Sequence, residues 1–283
     1  MRLSEPSFTV IVPTCNRPDF LARCLAALAP GCQTMPARRY EVIVTDDGTT
    51  NSARPLVAER FPWAIWRAGP RRGPAANRNS GAGLSSGNWL AFIDDDCIPA
   101  TTWLQAYAEA IDQSHRVYEG RTTCHDWVDS PLYEAPINLS GGYLWSCNML
   151  IARDLFEALG GFDEGFPYAA MEDVDLRERI RDRGLGFPFV IGATVDHPKR
   201  RRAGGLVKGR HAECQYLFAV KRKREEIGLW STLLWPAWQY HARMWKRSKV
   251  PIHIVPSAWN LTIETVYVAT HYAGWKRKYA PRP

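Results

Sequence analysis

Short apolar runs alternate with helical stretches through the first half of the sequence, and this alternation restricts the fold more than any other feature. Residues 8–12, 41–45 and 89–93 have the length and the β-branched or aromatic content of buried strands. Residues 19–28 and 51–61 between them have helical spacing or cap residues. This order predicts an α/β fold in which helices flank a mostly parallel sheet on both faces.

Acidic residues directly follow two of these strands, as Asp46-Asp47-Gly48 and as Asp94-Asp95-Asp96. Right-handed crossovers place the carboxyl ends of parallel strands at one edge, where ligands of such sheets bind. Three adjacent carboxylates repel one another, which favours a divalent cation as their partner. A solvated turn, with Asp96 capping the next helix, explains the triplet equally well.

The distribution of charge divides the chain into two regions. The formal net charge is +7, but residues 198–283 alone carry 18 Lys/Arg against 4 Asp/Glu. We therefore predict a catalytic α/β domain over residues 1–200 and a basic, tryptophan-rich, mainly helical region over residues 201–283. The balance of 46% hydrophobic and 23% charged residues is that of a folded globular protein.

The sequence shows no feature of export or of membrane insertion. Its seven cysteines lack CxxC pairs and zinc-like spacing, as in a reduced protein. The N-terminal apolar run is short and is interrupted at Pro13, and no apolar run reaches the roughly 18 residues of a membrane span. We expect a cytoplasmic protein, with peripheral binding to the inner membrane face left open.

Five segments, taken together, resemble a known enzyme family. In chain order they are TVIVPTCNRPDFLARCLAAL, EVIVTDDGTT, GPAANRNSGAGLSSGNWLAFIDDDC, NMLIARDLFEALGGFDEGF and MEDVDLRERIRDRG. Their order and spacing resemble family 2 glycosyltransferases over residues 8–184. The resemblance implies the GT-A fold, a Rossmann-like nucleotide-sugar domain. It also implies inverting transfer of a sugar from a nucleotide-diphosphate donor, first of all a UDP-sugar, to an acceptor hydroxyl.

The resemblance assigns a donor-binding role to residues at the strand ends and on one helix, namely Pro13, Thr14, Asp46, Asp47, Arg78, Asn79, Asp94 and Asp95. Asp46 or Asp47 would accept a hydrogen bond from a ring N–H of the base. The planar donors of Arg78 suit a diphosphate. Asp94 would lie nearer the ribose, and Asp95 serves the turn.

The resemblance also implies a metal site and a general base. Asp96 and Asp94, completed by His197, would hold Mn²⁺ or Mg²⁺. Attack on the anomeric carbon needs a group that accepts the acceptor's proton, and this role falls to Asp173, with Glu172 holding the acceptor. The helix dipole alone also explains acidic residues in a first helical turn.

Trp145 and Asn148 lie where relatives in this family contact the donor sugar or the acceptor. An exposed tryptophan stacks well on a sugar ring, whereas a core position is the alternative for Trp145.

The basic C-terminal region contains two notable segments. Gly204, Gly205 and Gly209 predict a flexible loop that closes over the donor. Residues 229–238 combine tryptophans and leucines with flanking cations, which suits either an interfacial helix on an anionic membrane or a helix packed on the catalytic domain. No nucleic-acid-binding motif accompanies the cations, so we do not expect a nucleic-acid partner.

The leading hypothesis is a glycosyltransferase of surface-glycan or glycoconjugate synthesis with a glycan, a lipid-linked molecule or a small molecule as acceptor. One alternative is a glycosyltransferase acting on a soluble small molecule such as a natural product. Another is a catalytically silent nucleotide-sugar-binding homologue. A nucleotidyltransferase would need a glycine-rich, basic phosphate loop after the first strand, and PTCNRPD is not such a loop.

Overall fold

The computed structural model describes residues 7–223 and 227–280, and these fall into two compact units. Unit 1 comprises residues 7–125, 136–164 and 172–198. Unit 2 comprises residues 126–135, 165–171, 199–223 and 227–280. Residues 224–226 of the predicted basic segment lie outside the described residues. A division of function at residue 200 stays a prediction.

Strands and helices alternate through the first part of the chain, and helices dominate the last part. The strands are β1 (Phe8–Thr14), β2 (Tyr40–Asp46), β3 (Ile65–Ala68), β4 (Trp89–Ile93), β5 (Ile98–Pro99), β6 (Val117–Thr123), β7 (Tyr133–Glu134), β8 (Asn148–Ala152), β9 (Phe189–Asp196) and β10 (Arg200–Arg201). The helices are α1 (Pro18–Leu28), α2 (Arg54–Arg60), α3 (Pro74–Ala82), α4 (Trp103–Ala110), α5 (Arg153–Ala158), α6 (Glu172–Asp182), α7 (Gly205–Lys221), α8 (Trp235–Arg247) and α9 (Ile254–Lys278).

Unit 1 is built on an eight-stranded sheet with the order β3-β2-β1-β4-β8-β6-β9-β5. Strands β3, β2, β1 and β4 are parallel to one another, as are β6 and β9, and the other neighbours are antiparallel. The sheet is thus mostly parallel, as predicted. The parallel pairing of β2, β1 and β4 brings their carboxyl ends to one edge, where the acidic residues follow.

Two apolar clusters cover the two faces of this sheet. Val10 and Val12 point into one cluster with side chains of α1, α2 and α4. Ile11 points into the other with side chains of α3, α5 and α6. Neighbouring residues of a strand face opposite sides, so a continuous apolar strand such as β1 feeds both clusters. The prediction of helices on both faces is confirmed.

Helix α2 is shorter than the predicted helix over residues 51–61. The carboxylate of Asp46 accepts hydrogen bonds from the Ser52 hydroxyl at 2.8 Å and from the Ala53 amide at 2.7 Å. These bonds hold the segment after β2 as a loop, and the helix starts only at Arg54.

Unit 2 contains α7, α8 and α9, which confirms a helical C-terminal region. The prediction of a flexible loop at Gly204, Gly205 and Gly209 is wrong, because α7 begins at Gly205. A Cβ on Gly205 would lie 2.1 Å from the carbonyl oxygen of Asn260, and one on Gly209 would lie 2.6 Å from the Tyr267 ring. These glycines therefore allow close packing of α7 on α9. Within residues 7–223 and 227–280, no helix is long and apolar enough to cross a bilayer.

Candidate active site

The ends of β1 and β2 are locked together at the edge that carries the candidate site. Thr14 pairs with Asp46 in the parallel register, and the Asp47 amide donates to the Thr14 carbonyl at 2.9 Å. Asn77 of α3, which the sequence did not single out, donates to the Thr45 carbonyl at 3.0 Å. Pro13 is buried in β1 opposite Thr45. Asn77 therefore ties α3 to the end of β2.

The two aspartates after β2 have different environments. Asp46 is buried and accepts from the amides of Gly48 and Ala53, the Ser52 hydroxyl and the Trp66 indole, at 2.7–3.2 Å. Asp47 accepts only from the Arg71 amide among the described residues, at 2.8 Å. Burial raises the pKa of Asp47. Asp47 therefore has a carboxylate oxygen available to accept a hydrogen bond from a ligand, whereas Asp46 stabilises the loop after β2.

Asp95, the middle residue of the triplet, points into the protein. Its side chain is fully buried, accepts from the Thr14 hydroxyl at 2.6 Å and pairs with Nη2 of Arg17 at 2.5 Å. Burial raises the pKa of Asp95 to about 7, although Arg17 opposes this shift. The side chains of Asp95 and Thr14 thus bind each other, and a donor-binding role for these two residues stays a prediction.

Asp96 contacts two basic side chains and does not cap a helix. Helix α4 begins at Trp103 without a side-chain cap. Oδ2 of Asp96 accepts from Arg17 at 3.0 Å, whereas Oδ1 is buried and receives no hydrogen bond from the described residues. Nε2 of His197 lies 3.3 Å from this Oδ1.

These contacts fit a bound cation. Nδ1 of His197 lies 2.8 Å from the Pro198 carbonyl, which can only accept, so Nδ1 carries a proton and Nε2 is the nitrogen that faces Asp96. Adjacent ligands of an octahedral ion at about 2.1 Å lie about 3 Å apart, close to the observed separation. Cys97 completes the cluster, but burial raises its thiol pKa well above the usual range, and hard ions prefer oxygen.

Arg78 joins the triplet to α6. Its buried guanidinium pairs with Oδ1 of Asp94 at 2.6 Å and with Oε1 of Glu172 at 3.3 Å. Burial opposes the charge on Asp94, but Arg78 and then His197 lower the pKa of Asp94 below its ordinary value. Both terminal nitrogens of Arg78 thus pair with carboxylates of the protein, and its binding to a diphosphate stays a prediction. Asp94 stands outside the Asp96–Cys97–His197 cluster.

The pair at the start of α6 is divided between two environments. Glu172 is buried and engaged by Arg78, whereas Asp173 is half-buried and accepts only from the Val174 amide, at 2.8 Å, among the described residues. Burial raises the pKa of both carboxyls, and Arg78 opposes the shift in each. Oδ2 of Asp173 therefore accepts no hydrogen bond from the described residues and is available to accept a proton.

The side-chain amides of Asn79 and Asn148 form hydrogen bonds within the protein. Asn79 exchanges hydrogen bonds with the backbone of Phe162, at 2.8 and 2.9 Å, and so fixes the Gly-Gly turn after α5. Asn148 is buried, and its amide accepts from Trp103 and Tyr107 and donates to two carbonyls at 2.8–3.0 Å. Both amides are thus bonded within the protein, and the donor contact of Asn79 and the acceptor contact of Asn148 stay predictions.

A buried carboxylate, Glu119, sets the loop before β8. It accepts from the amides of Gly142, Tyr143 and Leu144, the last two at 3.1 and 2.9 Å. The exposed Tyr143 stacks on the half-buried Trp145, with ring centroids 4.5 Å apart. Arg177 of α6 donates to the Tyr143 carbonyl at 3.2 Å. The loop thus presents an aromatic pair next to the helix that starts with Glu172.

Sequence reasoning missed Arg17 and Glu119. Arg17 stands in the segment PTCNRPD, where a basic residue close behind a strand end is the available signal. Glu119 lies in β6 among buried residues, and a buried carboxylate needs hydrogen-bond partners.

A family model described as Glycosyl transferase family 2 matches residues 9–160, more than half of the chain. The chain belongs to glycosyltransferase family 2. It is a member of a family of glycosyl-transfer enzymes, and its α/β fold is the GT-A fold. It is similar to the glycosyltransferase AglE of Haloferax volcanii, with 27% identity over 216 residues that cover 71% of this chain and 69% of AglE. It spans only 44–52% of several other curated relatives.

Two solved structures have a similar fold. One is the mannosyltransferase PcManGT from Pyrobaculum calidifontis in complex with GDP-Man and Mn²⁺, with a TM-score of 0.58, 19% identity, and coverage of 95% of this chain and 76% of that one. The other is S. aureus TarS 1-349 in complex with UDP-GlcNAc, with a TM-score of 0.59, 17% identity, and coverage of 95% and 92%.

Proposed function

We propose that this family 2 member is an inverting, metal-assisted transferase that moves a sugar from a nucleoside-diphosphate donor to an acceptor hydroxyl. The observation that carries the proposal is the pairing of Arg78 with both Asp94 and Glu172. This one side chain fixes the start of α6, which bears the candidate base, beside the strand end that bears the candidate metal carboxylate. The candidate metal site and the candidate general base then lie at the same edge of the sheet.

The donor is bound by its base and its diphosphate. Asp47 has a carboxylate oxygen available to accept from a ring N–H of the base. Arg17, whose side chain is partly exposed, offers a cation next to Asp96 for the diphosphate. The similar structures hold GDP-Man and UDP-GlcNAc, which supports a nucleotide-sugar donor. We favour a UDP-sugar.

Asp96 and His197 would hold a divalent ion, Mn²⁺ or Mg²⁺. Oδ1 of Asp96, which accepts no hydrogen bond from the described residues, and Nε2 of His197 would supply one oxygen and one nitrogen ligand. Such an ion, when bound, neutralises charge on the leaving diphosphate. The Mn²⁺ in the PcManGT structure supports this assignment.

Asp173 acts as the general base. The acceptor oxygen bonds to the anomeric carbon as the bond from that carbon to the diphosphate oxygen breaks, and the acceptor proton passes to Asp173. A raised pKa suits this transfer, because a more basic carboxylate takes the proton more readily. A single displacement inverts the anomeric centre. Glu172, held by Arg78, keeps the helix start in place.

The Tyr143–Trp145 pair receives the acceptor. A stacked aromatic surface suits the C–H face of a sugar ring, which favours a glycan or glycosylated acceptor. We place the enzyme in the cytoplasm, in surface-glycan or glycoconjugate synthesis.

The test is a screen of UDP-, GDP- and dTDP-sugars with Mn²⁺ or Mg²⁺, in which thermal stabilisation and slow donor hydrolysis are measured. We expect metal-dependent stabilisation by one donor class. Asp96→Ala should weaken metal-dependent donor binding, and Asp173→Asn should bind donor but lose transfer. Asp19→Asn is the matched control, since Asp19 is an exposed acid in the first turn of α1.

Several outcomes separate the alternatives. If no nucleotide sugar stabilises the protein in the presence of metal, the proposal is wrong. Donor binding without hydrolysis or transfer to any glycan or small molecule would identify a silent homologue. Transfer to small molecules but to no glycan would identify a glycosyltransferase that acts on a soluble small molecule such as a natural product.

A further inference from the structure

Three tryptophans of unit 2 pack on one another and yet remain exposed. The rings of Trp235 and Trp238 lie 5.8 and 6.3 Å from the ring of Trp230, and the three side chains are 47%, 40% and 52% exposed. The turn before α8 buries Leu233 and Leu234 and so leaves Trp230 on the outside. We call Trp230, Trp235 and Trp238 the tryptophan face. Clustered exposed apolar side chains of this size mark an interaction site.

Helix α9 adds a second exposed apolar surface. Val255, Trp259 and Val266 recur at helical spacing and are 75%, 66% and 57% exposed. The core of unit 2 takes Val268 and Trp275 from the same helix. Helix α9 is therefore apolar on its buried side and again along part of its outer side. We call Val255, Trp259 and Val266 the α9 stripe.

Unpaired cations accompany these apolar side chains on α8. Arg243, Lys246 and Arg247 are exposed, and no carboxylate among the described residues pairs with them. They follow Trp235 and Trp238 on the same helix. The His241 ring of α8 bonds the Ser257 hydroxyl of α9 at 2.8 Å, so both helices belong to one packed body. Exposed positions of α8, of α9 and of the turn before α8 therefore carry aromatic rings, aliphatic side chains and positive charge.

We infer that unit 2 binds the surface of an anionic lipid bilayer through the tryptophan face and the α9 stripe, with Arg243, Lys246 and Arg247 at the lipid phosphates. Tryptophan prefers the boundary between headgroups and acyl chains, and Lys and Arg are attracted to anionic lipids. The absence of a membrane-crossing helix in the described residues is compatible with such interfacial binding.

Charge and chemistry favour a bilayer over other occupants. A second copy of the chain, related by a two-fold axis through this face, would bring two sets of the same cations together. Nucleic acid would satisfy the cations and stack on tryptophan, but it offers no apolar surface for Val255 and Val266. An anionic bilayer satisfies both the cations and the aliphatic side chains.

Flotation of the purified full chain with vesicles tests this inference. Vesicles of phosphatidylcholine alone are compared with vesicles that also contain phosphatidylglycerol, at low and high salt. We expect binding to the anionic vesicles that weakens with salt. Lys246→Ser with Arg247→Ser should weaken this binding by about 25-fold, since each cation near such a surface contributes about 1 kcal/mol, or roughly fivefold. Trp235→Ser with Trp238→Ser should weaken binding to both vesicle types.

Matched variants on unit 1 provide the controls. Arg38→Ser with Arg60→Ser removes the same charge from exposed positions, and Ile191→Ser removes an exposed apolar side chain. Both should bind vesicles as the unmodified chain does. Because the cation variants alter only exposed side chains, they keep the test informative if the tryptophan variants misfold.

Three results would overturn the inference. They are no binding to anionic vesicles, equal losses in the control variants, or a dimer in solution that the tryptophan substitutions dissociate. Vesicle binding is measured without donor or acceptor, so its outcome is independent of the proposed transferase activity.

Discussion

The Nη2 atom of Arg78 lies 2.6 Å from Oδ1 of Asp94, and this ion pair joins α3 to the loop after β4. The same guanidinium reaches Glu172 at the start of α6. Burial alone would lower the pKa of Arg78, but the two carboxylates outweigh burial and raise it above the usual range. Arg78 is thus a permanent cation shared by two elements of the candidate site.

Arg78→Met should destabilise the protein, because it leaves the buried Glu172 and the partly buried Asp94 without the counter-charge of this guanidinium. We expect a loss of about 3 kcal/mol or more in the free energy of unfolding at neutral pH, measured by urea denaturation. The deficit should shrink as the pH falls, since protonation removes the unpaired charges. Arg38→Met, at an exposed position, should change stability by no more than about 0.5 kcal/mol. A deficit for Arg78→Met as small as that of the control would contradict this role.

The transfer rate should decline on the acid side at a pH above the ordinary range of an aspartate. A general base works only when deprotonated, and burial raises the pKa of Asp173, so the active form is lost earlier as the pH falls. The measurement is kcat/KM against pH at a fixed, saturating concentration of metal. Asp173→Asn should lower kcat by about 10²–10⁴-fold and lose this limb. An acid limb that persists in Asp173→Asn would assign it to another group.

Asn148→Ala should affect stability and leave acceptor binding unchanged. The substitution removes four hydrogen bonds and leaves the Trp103 indole and the Tyr107 hydroxyl buried without their partner. We expect a loss of about 3 kcal/mol in the free energy of unfolding, with the KM for acceptor unaltered in the folded fraction. Tyr143→Ala should show the reverse pattern, a higher acceptor KM with little loss of stability. A raised acceptor KM in Asn148→Ala would instead support an acceptor contact for this residue.

The stability that His241 contributes should disappear in acid. Burial lowers the pKa of this histidine to about 4, so the folded chain resists protonation there while the unfolded chain, with an ordinary value near 6.5, accepts it. The free energy of unfolding should therefore fall as the pH drops from about 6.5 to about 4, by about 3 kcal/mol from this group. His241→Gln should lack this component. The check is the difference between the two proteins in urea denaturation at several pH values, and a constant difference would contradict it.

The elements of unit 1 followed from local pattern. The strand predicted at residues 89–93 coincides with β4. The strand predicted at residues 8–12 is two residues longer in the structure, where β1 ends at Thr14. Apolar periodicity is a local property, so it predicts strands and the edge at which Asp47 and Asp96 stand. Polar residues at a strand end, by contrast, still pair in the ladder, which is why β1 is longer than its apolar run.

The partners of the site residues could not be read from local pattern. Thr14 and Asp95 are bonded across 81 positions of the chain, and Arg78 and Glu172 across 94. No periodicity encodes which oxygen a distant donor reaches, so the sequence alone could not show that Asn148 and Asp95 bond distant parts of the protein. Gly209 illustrates the same difficulty. The sequence alone cannot distinguish a glycine that makes a loop flexible from one that allows a neighbouring helix to pack closely.

Arg17 places a built-in positive charge against Asp95 and Asp96. The acidic strand end therefore has an internal substitute for a counter-ion, and its self-repulsion is relieved before any divalent ion arrives. A metal that binds Asp96 then replaces an ion pair in a protein that is already folded, so metal binding is not a step of folding. A chelator-treated preparation should stay folded and be restored by adding the ion back, unlike proteins whose metal holds the chain together.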